Sequence, residues 1–268
     1  SWFSAPEDSR PVRNTLGLAL RQDRIQAALF DTLARQIQAT VRDDDVRQTQ
    51  IGLYAENETG WQPWLRTVAG LRLEQSAARV SSQTLAQNSG AADATRWLPK
   101  LSVILGPWQK TTFFFQTGAG FHSNDARGAT TRIDPRSGQS AEPAPLLVGS
   151  RGQEIGMRSS ITPNWQTSVA LWRLDFDSEL VYVGDTGGTT PGRPSRRTGV
   201  EWTQQWSASR HWQLDASLAW TQARYSDAGT VGQAMVGAPR KVAHMNLRLR
   251  DMGPWSGALG VRYIGAVP

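Results

Sequence analysis

Five times along the chain a turn-forming pair of residues runs directly into a tryptophan. The five are Gln62-Pro63-Trp64, Gly106-Pro107-Trp108, Pro163-Asn164-Trp165, Arg210-His211-Trp212 and Gly253-Pro254-Trp255. The tryptophans follow one another at 44, 57, 47 and 43 residues. Proline and glycine at these points break the backbone pattern and mark chain reversals. Each reversal is followed by a segment with a strict period of two. Trp212, Leu214, Ala216, Leu218 and Trp220 share one face, against Gln213, Asp215, Ser217, Ala219 and Thr221 on the other. Trp255, Gly257, Leu259, Val261 and Tyr263 repeat this, as do Ala243 to Leu249 and Ile51 to Ala55 ahead of their turns. A helix cannot hold such alternation over ten residues, so these are strands with one apolar and one polar face.

The far ends of the strands run into long polar connections: Gln75 to Arg96, His122 to Gly149, Gly184 to Ser195 and Asp227 to Arg240. Short reversals therefore collect at one end of the sheet and long loops at the other. That asymmetry predicts an all-β fold, an antiparallel up-and-down transmembrane β-barrel, of which about 12 strands can be counted here. Trp64, Trp108, Trp165, Trp212 and Trp255 form the inner-leaflet girdle, where an indole buries its ring and keeps its N–H wet. Trp97, Phe121, Phe176 and Tyr225 are candidates for the outer girdle. A soluble β-propeller repeats at a similar period but needs four short strands per blade, where this repeat supplies two. A lectin-like sandwich has no need of alternating loop lengths, and a passive porin barrel is the remaining alternative. Segment Ile25 to Ala39 carries both a spacing of four and a strand alternation; it reads as strand, with Asp43 to Asp45 in a short polar connection after it.

No apolar run approaches the roughly 20 residues of a transmembrane helix. The chain has no cysteine, which removes thiolate nucleophiles, disulfides and Cys-based zinc sites. Its net charge of +6 suits anionic partners, but the basic residues are scattered, and nucleic acid is not expected as a partner. Neither a G-x-S-x-G elbow, a phosphate loop nor an H-E-x-x-H motif occurs, so no catalytic residue and no cofactor is expected. His122 and Asp125 stand three residues apart and supply two ligands where zinc needs three or four. His211 falls in a turn at the opposite end, and His244 on an inner face. No metal site is expected. Ser123, Asn124 and Asp125 read as a side-chain-capped turn at a strand end, and the acids Asp175, Asp177 and Glu179 as a solvated rim.

The run FFFQTGAGFHSNDARG, Phe113 to Gly128, resembles the strand and loop entry of TonB-dependent outer-membrane receptors. PSRRTGVEWTQQW, Pro194 to Trp206, resembles a returning strand of the same barrels. The hairpin from Gln50 to Glu74, with GLYAE and AGLRLE, resembles a third such element. Three motifs in the family's order are far more specific than any one. The resemblance implies a receptor of the Gram-negative outer membrane that takes up a scarce chelate, a ferric siderophore first, and is not an enzyme. It implies TonB-ExbB-ExbD as the energising partner through a plug domain, and lipopolysaccharide and lipid as surroundings. Such receptors have about 22 strands; residues 1–268 are expected to be part of one barrel domain, with plug, signal peptide and C-terminal strand(s) absent.

Site expectations follow from rim position and parity. Substrate contact is expected from His122, Asn124, Asp125 and Arg127 in the outer loops, and from Arg66, Arg72, Arg248 and Arg262 on the inner face. The competing reading pairs those inner arginines with Glu74, Asp215 and other acids. Lipopolysaccharide phosphates are expected at Arg151, Arg193, Arg196 and Arg197.

Overall fold

The computed structural model describes residues 2–4, 10–185, 187–227, 234–235 and 237–267. The period-two segments become β1 (Trp2–Ser4), β2 (Val12–Leu33), β3 (Gln36–Gln62), β4 (Leu65–Ser82), β5 (Gly90–Trp108), β6 (Thr111–Ser123) and β7 (Leu147–Thr162). They continue as β8 (Trp165–Phe176), β9 (Leu180–Val183), β10 (Gly188–Pro191), β11 (Ser195–Ser207), β12 (Trp212–Tyr225), β13 (Lys241–Met252) and β14 (Trp255–Ile264). Twelve of them form one antiparallel sheet in chain order, with β8 pairing directly to β11 and the small β9–β10 hairpin standing apart. A 12-strand meander in one sheet excludes propeller blades.

Register turns alternation into bands. Leu18, Leu53, Leu73 and Trp97 lie side by side across β2 to β5. Phe115, Ile155, Leu171, Val200 and Trp220 do so across β6, β7, β8, β11 and β12. These faces are bare: Leu18 is 68% and Trp97 61% exposed. A sheet face this apolar needs a second layer or a hydrocarbon solvent, and no described segment covers it. About 9–11 tilted residues cross a bilayer; β2 and β3, at 22 and 27 residues, project well beyond it. The five turn tryptophans line the other end, between 43% and 75% exposed. Trp64 stacks on Trp108 at 6.2 Å between ring centroids.

The buried apolar cluster of the described residues sits at the outer end. It joins Val46, Ala78 and Val80 of β3 and β4 to Ala126 and Leu146 of the connection after β6. That connection holds α1 (Ala126–Thr130) and folds down onto the inner face of the projecting strands.

Several sequence expectations need correction. Asp43 to Asp45 are not in a connection but within β3. The reversal inside Ile25 to Ala39 is Ala34 and Arg35, with φ of 47° and 65°. That is the left-handed pair of a two-residue hairpin, usually marked by Asn-Gly and here unmarked. Most of Gln75 to Arg96 is strand, because β4 and β5 continue past the membrane; only residues 83–89 connect them. Gly106 and Pro107 remain in β5, and the chain reverses at Gln109 and Lys110, φ 47° and 60°. Phe176 faces inward, its ring against His122 and Arg197. Tyr225 is on the opposite face from Trp220 by parity, with Arg193 over its ring. Neither joins an outer girdle. Part of the expected loop Asp227 to Arg240 lies outside the described residues.

Candidate ligand-uptake face and outer rim

The polar face is organised by cross-strand charge pairs. Glu58 accepts from Arg66 at 2.8 Å and also binds Arg13. Lys100 pairs with Glu56. Arg248 approaches Asp215 at 3.4 Å. Arg72 donates to Glu74 at 2.7 Å, and the Glu74 side chain is almost wholly buried. Gly52 makes room for that pair, since a Cβ there would fall 2.3 Å from the Arg72 Nη2. Gly199 does the same for the indole of Trp172, 2.6 Å away. Arg262 of β14 lies opposite His244 in register. A groove of about 580 Å³ runs along this face, lined by Lys100, Ser102, Gln116, Glu154, Trp172 and Glu201 among others. The pairs with Glu74 and Asp215 are those of the competing sequence reading.

At the rim, the four residues expected as substrate contacts follow one another from the end of β6 into α1. His122, the last residue but one of β6, has its ring 5.4 Å from that of Phe176. The Arg197 guanidinium covers Phe176 at 4.8 Å and donates to Glu179 at 2.8 Å. Ser195 also donates to Glu179. His122 Nε2 is buried without a hydrogen-bond partner. Sequence position alone assigns Glu179 to a solvated edge and Arg197 to the lipid; only strand pairing brings them to His122.

Asn124 and Asp125 shape the next turn. Asn124 is buried, donates from Nδ2 to the Pro145 carbonyl at 3.2 Å, and accepts from the Asp125 N–H at 2.9 Å. Its own N–H donates to the Leu146 carbonyl, so one residue closes both ends of the loop. Asp125 caps α1 by accepting from the Arg127 N–H at 2.9 Å and pairs with the Arg127 guanidinium at 2.6 Å.

Three further anchors hold the loop, and none has a sequence signal. Arg42, buried beside Asp44, donates to the Arg127 carbonyl and to Thr131 Oγ1, both at 3.2 Å. The buried Asn88 side chain donates to the Ile133 carbonyl at 2.9 Å and accepts from the N–H groups of Arg132 and Ile133. Arg136 grips both Asp31 oxygens, at 2.9 and 2.6 Å. The connection after β6 is thus bolted to β2, β3 and the β4–β5 end, over the mouth of the inner face.

The Asp125 carboxyl would be pushed up by burial, but hydrogen bonds from Arg127 and the charges of Arg127 and Arg42 outweigh this and hold it below its usual value. A carboxyl held low contributes stability above its unfolded pKa and loses it as pH falls through the folded one. The cap should therefore weaken below about pH 4. Amide exchange at Arg127 and Gly128, corrected for intrinsic rate, is expected to accelerate there, and Asp125→Asn to abolish the acid-dependent part. An unchanged acid response in Asp125→Asn would refute this.

Of the four arginines expected at lipopolysaccharide, Arg151 and Arg196 are exposed on the outward face. Arg197 is turned inward to Phe176. Arg193 is held by Asp227 at 2.6 Å and lies over Tyr225 at 4.4 Å.

A bilayer-type meander with an apolar outer face, a charge-paired inner face and a strapped outer loop defines part of the wall of a membrane β-barrel. The β-barrel model of TonB-dependent receptor-like proteins matches residues 4–268, and the chain belongs to that family. The fold is shared with the ferric-catecholate import receptor Fiu of E. coli K12, at 13% identity and a TM-score of 0.75, over 96% of this chain and 42% of Fiu. It is shared with the copper transporter OprC at 16% and 0.72, over 97% and 41%. The ferric yersiniabactin uptake receptor FyuA of Yersinia pestis follows at 14% and 0.72, over 98% and 41%. The chain spans less than half the length of each. The family is one of receptors, not enzymes.

Proposed function

We propose that the chain forms part of the barrel of an outer-membrane receptor of Gram-negative bacteria for active uptake of a scarce metal chelate, a ferric siderophore first. The observation that carries this is the two-faced sheet of a TonB-dependent receptor family member, closed over at its outer end by a folded loop. Cargo meets the rim at His122, Asn124, Asp125 and Arg127, then passes the inner face bearing Arg66, Arg72, Arg248 and Arg262. Because most of these side chains already have protein partners, cargo oxygens compete with carboxylates, and release is favoured as much as capture. Energy comes from TonB-ExbB-ExbD through a plug domain. Fold relatives named for ferric-chelate or metal transport support the cargo class.

The test is uptake of radioactive iron, supplied as a panel of ferric siderophores, by cells whose only receptor is the one carrying this chain. Accumulation that requires both the receptor and TonB is expected. Accumulation of the chelate at equal rates with TonB deleted would assign the barrel to passive diffusion instead.

A further inference from the structure

Arg136 joins three outer elements that the sheet itself keeps apart. It donates to the two Asp31 oxygens of β2, and its Nε donates at 2.7 Å to the Asp185 carbonyl in the tip of the β9–β10 hairpin. Beside this junction Gly187 of the same tip lies against Leu29 of β2, where a Cβ on Gly187 would fall 3.5 Å from the Leu29 Cβ. The hairpin leaves the sheet between β8 and β11 and so comes to rest on a strand six places away from β8. Arg136 itself stands on a fixed post. Asp134 Oδ1 accepts from the N–H groups of Arg136 and Ser137, at 3.0 and 2.7 Å, in an Asx-type turn. Gly138, at φ 68°, closes that turn by donating to the Asp134 carbonyl. The post is rooted through Arg132 and Ile133 on the buried Asn88.

The hairpin is built differently from the post. β9 and β10 pair only with each other, so the hairpin can lift about its base without breaking a ladder bond of the large sheet. At that base the Gly192 N–H donates to the Glu179 carbonyl at 2.6 Å, and Ser178 Oγ donates to the Gly192 carbonyl at 2.9 Å. The Glu179 carboxylate accepts from Ser195 and from Arg197, and Arg197 covers the Phe176 ring that faces His122. The base of the hairpin is therefore in contact with the rim cluster around His122. Exposure separates the tip contact from the deeper anchors. The Arg42 and Asp44 side chains are 3% and 0% exposed, whereas those of Arg136 and Asp31 are 41% and 42% exposed. A buried pair is costly to break, and an exposed one holds weakly because water replaces either partner.

We propose that Arg136 is the catch of an autoinhibitory latch, which in the absence of cargo holds the β9–β10 hairpin down on β2 across the mouth. This rests on the uptake reading above. Cargo oxygens that take the Arg197 guanidinium from Glu179 loosen the base of the hairpin. The exposed contacts at its tip then hold too weakly to keep it down, and the hairpin lifts.

The test uses the intact receptor carrying this chain, in whole cells, with heat-modifiable migration showing that each variant is folded. Leu29→Cys is the reporter, because the latched hairpin covers it; its reaction with a membrane-impermeant maleimide is timed against the receptor without the substitution. Adding Arg136→Gln is expected to speed that reaction by at least about threefold, the scale of a weak exposed ion pair. Removing a nearby positive charge would by itself slow a thiol, so a faster rate reports uncovering. A ferric siderophore that the receptor transports is expected to speed the reaction as well. The second measurement pins the latch. Leu29→Cys with Gly187→Cys places the two Cβ atoms at disulfide distance. Oxidation is expected to stop uptake of the ferric siderophore panel and reduction to restore it, with Gly187→Cys alone as the control for the left-handed angle, φ 61°. Uptake unaffected by the disulfide sinks the latch, as does a Leu29→Cys rate that Arg136→Gln leaves unchanged. A transported siderophore that slows the reaction would show the hairpin closing over cargo, the reverse of this proposal. Faster labelling with Arg136→Gln in a receptor that transports none of the panel would support the latch and overturn only the uptake reading.

Discussion

Arg42→Ala is expected to destabilise the outer rim by about 3–5 kcal/mol, the usual cost of leaving a buried charge without its partner. Asp44 is completely buried, and its Oδ1 already has no hydrogen bond. Without the guanidinium, the Asp44 carboxyl is left buried with no charge partner. The same substitution removes both donors to the loop, at the Arg127 carbonyl and Thr131 Oγ1. The rim should open first, so limited proteolysis is expected to cut within residues 124–146 at a rate at least about tenfold above wild type, the open population rising with the lost stability. Arg42→Met combined with Asp44→Leu should recover most of the stability, since replacing a whole buried pair by apolar side chains is often neutral. An Arg42→Ala loop as resistant as wild type would mean that Asn88 and Arg136 hold it unaided.

Leu71→Arg should cost about 2–4 kcal/mol in refolding into phospholipid vesicles, the penalty for arginine near the midplane of a barrel's lipid face. Leu71 stands exposed beside Leu16, Ala55 and Pro99 in register. Gln116→Arg on the opposite face, where Glu154 is its ladder partner, should change the same titration by less than about 1 kcal/mol. The contrast is the measurement. Equal effects at the two positions would show that hydrocarbon does not bathe the face carrying Leu71.

The facing of Leu71 and its neighbours is readable from the order of residues alone, and the hairpin tip at Ala34 and Arg35 is not. Alternation survives in one dimension because adjacent strand residues point to opposite faces whatever their partners. Turn identity survives only when a residue with special backbone freedom announces it, as Gly253 and Pro254 do. Ala34 and Arg35 adopt left-handed angles imposed by the long strands on either side, so their identities carry no signal. The same limit hides the true extent of β4 and β5: polar residues above a membrane read as loop when they are strands that have left the lipid.

The candidate site divides along a similar line. Arg72–Glu74 is readable because both partners lie on one strand, two residues apart and hence on one face. His122, Asn124, Asp125 and Arg127 fall at the rim as their sequence positions indicate, but Glu179 and Arg197 beside His122 do not follow from theirs. Their approach depends on β8 pairing with β11 after the chain leaves the sheet to make β9 and β10.

The order of residues alone settles which side chains face lipid, how many strands there are to within small error, and which end carries the short turns. Backbone geometry makes these local properties with a fixed period. Which loop covers the mouth, which charges are buried and which arginines look outward come from register and long-range closure. Arg136 and Asp31 are 105 residues apart, and Arg24, Arg47 and Arg79 become a row only when three strands align. No short-range pattern records such meetings, because their free energy depends on groups that the chain brings together only after the sheet has formed.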